Sequence, residues 1–173
     1  MYQMKVGIIG VCSITLDYAD KAARSGHEVL ISHIRNNSCF KEVVQRIGSN
    51  AKLVSVNEAA KSDIIILFIP REDIDALMHD LPDMTGKIVL HTNNLILNLD
   101  VPAEKTGIKS SSETIASLLP TAHVVKIFNV LELHKQNQNK YEIFDTAADQ
   151  EIKDRVIGFL ESLNFIRPDV SEL

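Results

Sequence analysis

Short apolar runs and amphipathic stretches alternate along the whole chain. Val6–Ile9 is a β-rich run stopped by Gly10. Ser13–Ser25 has helical spacing, with Ile14, Tyr18, Ala19, Ala22 and Ala23 near one face, and Gly26 stands where a C-terminal cap glycine belongs. Glu28–His33 reads as the next strand, Phe40–Ile47 as a helix closed by Gly48, Ala51–Val54 as a weak strand and Asn57–Lys61 as a short helix. Asp63–Ile69, the run DIIILFI, ends at Pro70. A strand apolar on both faces belongs inside a parallel sheet covered on both sides. Asp73–His79 is helical in pattern, and Lys87–Leu90 is a strand.

The second half continues the alternation. Thr92–Lys109 is polar and irregular, and connections this long are often functional. Ser110–Glu113 has capping-box spacing and opens a helix that ends before Pro120. His123–Phe128 is a strand, Leu133–Lys140 a polar loop and Tyr141–Phe144 a further strand. Thr146–Asp149 opens a last helix, whose stripe of Ile152, Val156, Ile157, Leu160 and Leu163 is followed by a short strand at Phe165–Arg167. Alternating strands and helices predict an α/β fold, a Rossmann-type doubly wound, mostly parallel sheet in a single domain over residues 1–173. Ligands of such sheets lie at the carboxyl ends of the strands, where strand order reverses. The segments to weigh are therefore Gly10–Thr15, Ser32–Asn37, Ile69–Arg71, His91–Leu95 and Asn129–Leu131.

Composition narrows the partners. The chain has 173 residues, 45% of them hydrophobic, enough for a real core. A net charge of −5 argues against nucleic acid as a partner. No stretch is long and apolar enough for a membrane span, and the N-terminus lacks a secretory pattern, so a cytoplasmic location is expected. Cys12 and Cys39 make no disulfide framework, and no zinc-ligand spacing occurs, so no metal is expected. A redox role for the two thiols is the minor reading; ordinary reduced cysteines are the major one.

The first strand–helix junction carries the main question. A dinucleotide fingerprint reads G-x-G-x-x-G: the first glycine makes the turn, the second admits the pyrophosphate, and the third lets helix and strand pack closely. Here the stretch is Gly10-Val11-Cys12-Ser13-Ile14-Thr15, a degenerate glycine motif. Cys12 puts a sulfur where phosphate oxygens would sit, and Thr15 is expected to spread the helix from the strand. A steric loss of about 1–3 kcal/mol weakens binding roughly 5- to 150-fold. The helix N-terminus still offers N–H groups and its dipole to an anion. After the second strand there is no carboxylate to hold the ribose hydroxyls of NAD; Ser32 and Arg35 stand there instead. A guanidinium suits a 2′-phosphate, so the cofactor expected is NADP, against the alternative of a solvated surface arginine.

These residues carry a resemblance. MKVGIIG and GHEVLIS, then Ser32 and Arg35, then Leu118–Asn129 (LLPTAHVVKIFN) and the closing Leu163–Phe165 and Asp169–Leu173, resemble the deazaflavin-dependent NADP reductases of the coenzyme F-420 type. The resemblance covers essentially the whole chain. It departs at Cys12 and Thr15, at Asn93-Asn94-Leu95 in place of Thr-Asn-Pro, and at Asp145 in place of a glycine. It implies a pyrophosphate at Gly10, Val11, Cys12, Ser13 and Ile14, a nicotinamide beside Ile69 and Pro70, and Asn94 in the same cleft. It implies no protein acid or base, because hydride transfer to a flavin-like ring needs positioning above all. The function expected is an NADP-binding oxidoreductase acting on a small-molecule or flavin-like electron acceptor, with a homodimer as its assembly. The alternative is a Rossmann domain that has lost its cofactor and serves as a binding or regulatory module.

Overall fold

The computed structural model describes residues 3–91, 111–127, 141–143 and 150–163. Among them β1 (Lys5–Ile9) pairs in parallel with β2 (Glu28–Ser32) on one side and β4 (Ile64–Leu67) on the other. Beyond β2 lies β3 (Ala51–Leu53); beyond β4 lie β5 (Ile88–His91) and β6 (His123–Ile127), all parallel. A seventh strand, β7 (Tyr141–Ile143), joins β6 antiparallel. The order across the sheet is β3-β2-β1-β4-β5-β6-β7, so it reverses beside β1, as expected of the doubly wound arrangement.

The period of two within each strand sorts side chains onto two covered faces. Val6, Ile8, Ile31, Ile64, Ile66 and Leu90 pack against α1 (Ser13–Arg24), α2 (Lys41–Ile47) and α6 (Gln150–Ser162), through Tyr18, Ala22, Val44, Val156 and Phe159. Ile9, Ile65, Leu67 and Val89 face α3 (Val56–Ala59), α4 (Ile74–Asp80) and α5 (Ser111–Leu118), through Ala59, Ile74, Met78 and Ile115. All four residues of β4 are buried, which is why its sequence carries no alternation.

The predicted elements within the described residues are present, with small boundary shifts. Two helices begin with a tighter turn than the periodicity shows: Ser38–Phe40 precedes α2, and Arg71–Asp73 precedes α4. The predicted strand at Phe165–Arg167 and the connections 92–109 and 133–140 lie outside the described residues. α1 ends as its glycine implies. Gly26 takes φ +85, its N–H donates to the Ala23 carbonyl, and the His27 N–H donates to that of Ala22. That double bond pattern closes a helix with a left-handed residue.

One position was not legible as special. Gly7 lies mid-strand, where a Cβ would stand 2.2 Å from the Ala59 carbonyl oxygen; α3 sits directly on β1 because that side chain is missing.

A polar chain ties distant segments at the amino ends of the strands. The Met4 N–H donates to His27 Nδ1 (3.2 Å), so the ring proton is on Nε2, which meets Ser162 Oγ at 2.9 Å; Ser162 Oγ donates to the Phe159 carbonyl (2.6 Å). Ser25 Oγ donates to the Ser162 carbonyl at 2.6 Å. His27 is almost fully buried, and burial holds its pKa below the ordinary histidine value.

Candidate cofactor site

The carboxyl ends of β1, β2 and β4 bring three turns together. In the first, Gly10 takes φ +91, and a Cβ there would stand 1.7 Å from the Phe68 carbonyl oxygen, in the turn after β4. Only glycine fits so close an approach in that backbone region. The Gly10 N–H donates to the Ser32 carbonyl at 2.9 Å, which locks the first turn to the second.

Cys12 caps α1 in extended backbone (φ −145, ψ 176) that any residue adopts, so nothing in the main chain demands glycine there. The expectation that Thr15 spreads helix and strand meets a different arrangement. Thr15 is fully buried; its hydroxyl donates to the Gly10 carbonyl (2.9 Å) and accepts from the Cys12 N–H (2.9 Å). The β-branched residue is tied into the turn, and the bond uses the N–H of the residue replacing the second glycine. The N–H groups of Val11, Ser13 and Ile14 make no hydrogen bond among the described residues. Ser13 is exposed, and Val11, Cys12 and Ile14 are half-buried.

The second turn is built by its own side chains. Asn37 Oδ1 accepts from the His33 N–H and its Nδ2 donates to the Val54 carbonyl, both at 2.6 Å, fastening the loop to the end of β3. His33 Nδ1 accepts from the N–H groups of Arg35 (3.2 Å) and Asn36 (3.3 Å), while its ring lies 5.0 Å from that of Phe40. Arg35 is thereby presented to solvent, with Nη2 donating to Asp73 Oδ2 at 2.7 Å. Ser32 differs from the expectation of an open contact. It is fully buried, and its Oγ has no hydrogen-bond partner among the described residues. A buried hydroxyl in that condition is uncommon.

In the third turn Ile69 is buried and Pro70 exposed, at the end of β4 beside Gly10. Asn94 and Asn129 lie outside the described residues. Of two further residues at this edge, sequence reasoning missed Asp73 and named His91 only as the start of a segment to weigh. Asp73 reaches Arg35 from the far side of the crevice. His91, at the end of β5, is fully buried, and its pKa falls to about 4, through burial first and the positive charge of Lys126 second. Lys126 is its register partner on β6. Both Cys12 and Cys39 are free thiols. Among the described residues no group of three or more His, Cys, Asp or Glu is arranged to hold a metal ion, and no helix is long and apolar enough to cross a membrane.

The chain is similar to known proteins in the same terms. Mouse (Mus musculus) metalloreductase STEAP2 is 27% identical over 99% of this chain, which spans 34% of that protein. Rat (Rattus norvegicus) metalloreductase STEAP3 is 30% identical over 73% of this chain, which spans 25% of that protein. The chain thus covers between a quarter and about a third of the length of these curated relatives. In three dimensions a hypothetical protein from Sinorhizobium meliloti superposes with a TM-score of 0.74 at 23% identity, over 95% of this chain and 82% of that one, which shows a shared fold. The family described as NADP oxidoreductase, coenzyme F420-dependent, matches residues 5–95, the span that holds all three turns. By that match the chain belongs to the coenzyme F420-dependent NADP oxidoreductase family, whose cofactor is NADP.

Proposed function

We propose that this chain binds NADP across the carboxyl ends of β1, β2 and β4 and serves hydride transfer to an electron acceptor at the same edge. The observation that carries the reading is the Gly10 turn, which closes on Ser32 and Phe68 at the strand-order reversal. A dinucleotide would cross that turn, and Ser32, buried and without a hydroxyl partner among the described residues, backs it. The neighbouring groups suit the same ligand: unbonded N–H groups of Val11, Ser13 and Ile14 for a pyrophosphate, and the Arg35 guanidinium for a 2′-phosphate. NADP, when bound, supplies a two-electron hydride carrier. The residues proposed to hold it are Gly10, Val11, Cys12, Ser13, Ile14, Ser32 and Arg35, with Ile69, Pro70 and Asn94 on the nicotinamide side. Their role is to bind and orient; none is asked to move a proton. The acceptor proposed is a flavin-like ring or a small molecule, and the assembly a homodimer. Calorimetric titration with NADPH up to millimolar concentration tests the reading: saturable heat and a raised melting temperature are expected, and the absence of both overturns it.

A second reading has its own observation. The Cys12 N–H is already bonded to Thr15, so that donor of the turn is satisfied without a ligand. A nucleotide-free Rossmann module acting as a binding partner would show that arrangement, and the same titration separates the two.

A further inference from the structure

An acidic residue after the second strand ordinarily marks a site for NAD, because it accepts hydrogen bonds from the free ribose hydroxyls. The sequence has none there, but the fold supplies one from elsewhere. Asp73 lies 38 residues beyond Arg35, in the turn after β4, and its Oδ2 meets Arg35 Nη2 at 2.7 Å. Asp73 occupies the N-cap of α4, where an aspartate ordinarily accepts from its own helix; its carboxylate makes no such bond. The backbone of its turn is held separately, through the Asp73 N–H on the Pro70 carbonyl. The carboxylate is therefore turned away from its helix and toward the guanidinium. Both side chains remain accessible, Arg35 at 65% and Asp73 at 29%, so the pair adds little to stability. One bond occupies one of five guanidinium donors and leaves the rest for a ligand.

We infer that Asp73 is the second specificity residue of the cofactor site, an acceptor for the ribose hydroxyls of an unphosphorylated dinucleotide. This rests on the dinucleotide reading above. Arg35 attracts a 2′-phosphate; Asp73 repels it and competes for the same guanidinium. With no phosphate present, Asp73 offers the acceptor that a residue after β2 would otherwise provide. The two charges pull selection in opposite directions, and the chain accepts NAD as well as NADP, with a narrow preference for the second.

The test is calorimetric titration of the full chain and its variants with NADP+ and NAD+, each variant first shown by thermal melting to be folded. The wild type is expected to bind both, with NADP+ favoured by roughly tenfold or less. Asp73→Asn is expected to tighten NADP+ about fivefold and weaken NAD+ by a similar factor, and Asp73→Ser to do the same. Arg35→Gln is expected to weaken NADP+ about tenfold and leave NAD+ within about twofold. Wild-type binding of NADP+ without NAD+, or Asp73 variants that change both cofactors by one factor, overturns the inference and leaves the NADP site standing. Binding of neither overturns both.

Discussion

The Thr15 hydroxyl donates to the carbonyl of Gly10 and accepts from the N–H of Cys12, each at 2.9 Å. A residue that reads in sequence as an intruder in a glycine motif is thus what closes the turn. Thr15→Val keeps the shape and removes both bonds, leaving a carbonyl and an N–H unpaired in a largely buried turn. It is expected to lower stability by about 1–3 kcal/mol, whereas Thr15→Ser stays within about 1 kcal/mol of the wild type. Urea unfolding at unchanged m-value measures both.

Three glycines should answer alanine differently. Gly10→Ala forces a side chain into a left-handed backbone and against the Phe68 carbonyl, and Gly7→Ala drives α3 off β1. Each is expected to cost more than about 3 kcal/mol. Gly158, inside α6, would meet nothing within 4 Å, and Gly158→Ala should stabilise by about 0.5–1 kcal/mol. Melting temperatures of the three variants rank them directly.

Stability should fall in mild acid because of His91. Its ordinary value of 6.5 applies to the unfolded chain, and its folded value is about 4. Above pH 6.5 both states are neutral and the group has no effect. As pH falls from 6.5 toward 4, the unfolded chain takes the proton first, and up to about 3 kcal/mol is lost. His27 shifts in the same direction and adds to the trend. Unfolding free energies measured between pH 7.5 and 4 should drop less steeply in His91→Gln; a parallel curve refutes the assignment.

Cys12→Gly bears on the ligand rather than the fold. The backbone at position 12 is already ordinary, so glycine relieves no strain; it removes only the Cβ and sulfur beside the proposed pyrophosphate. NADPH affinity is expected to rise about fivefold, with unfolding midpoints changed little. Unchanged affinity would show that the thiol does not obstruct the site.

The sheet was legible because its periodicities are strong. DIIILFI announced a strand covered on both faces, and Gly26 announced the end of α1 in its observed geometry. Gly7 was not legible: its constraint comes from the Ala59 carbonyl, and its φ is ordinary. The same holds for the site. Arg35 could be singled out from its place after β2, but its pairing with Asp73 depends on two turns meeting across the strand-order reversal. Thr15 was only partly legible, because side-chain bulk is visible in a sequence, while the acceptor and donor that its hydroxyl finds are not. The lowered pKa of His91 was likewise not legible: it needs the burial that the packed sheet gives β5 and, second, the Lys126 charge that β6 places beside it.

The contact between His27 and Ser162 has a kinetic consequence. It joins residues 135 positions apart, and Ser25 reaches the Ser162 carbonyl over 137. Closing so long a loop is entropically unfavourable until the intervening strands are in place. This clasp should therefore be absent from the folding transition state. Ser162→Ala is expected to leave the refolding rate nearly unchanged and to speed unfolding by about fivefold, a φ-value close to zero. The clasp would then act as a late latch, setting how long the folded chain persists rather than how quickly it forms.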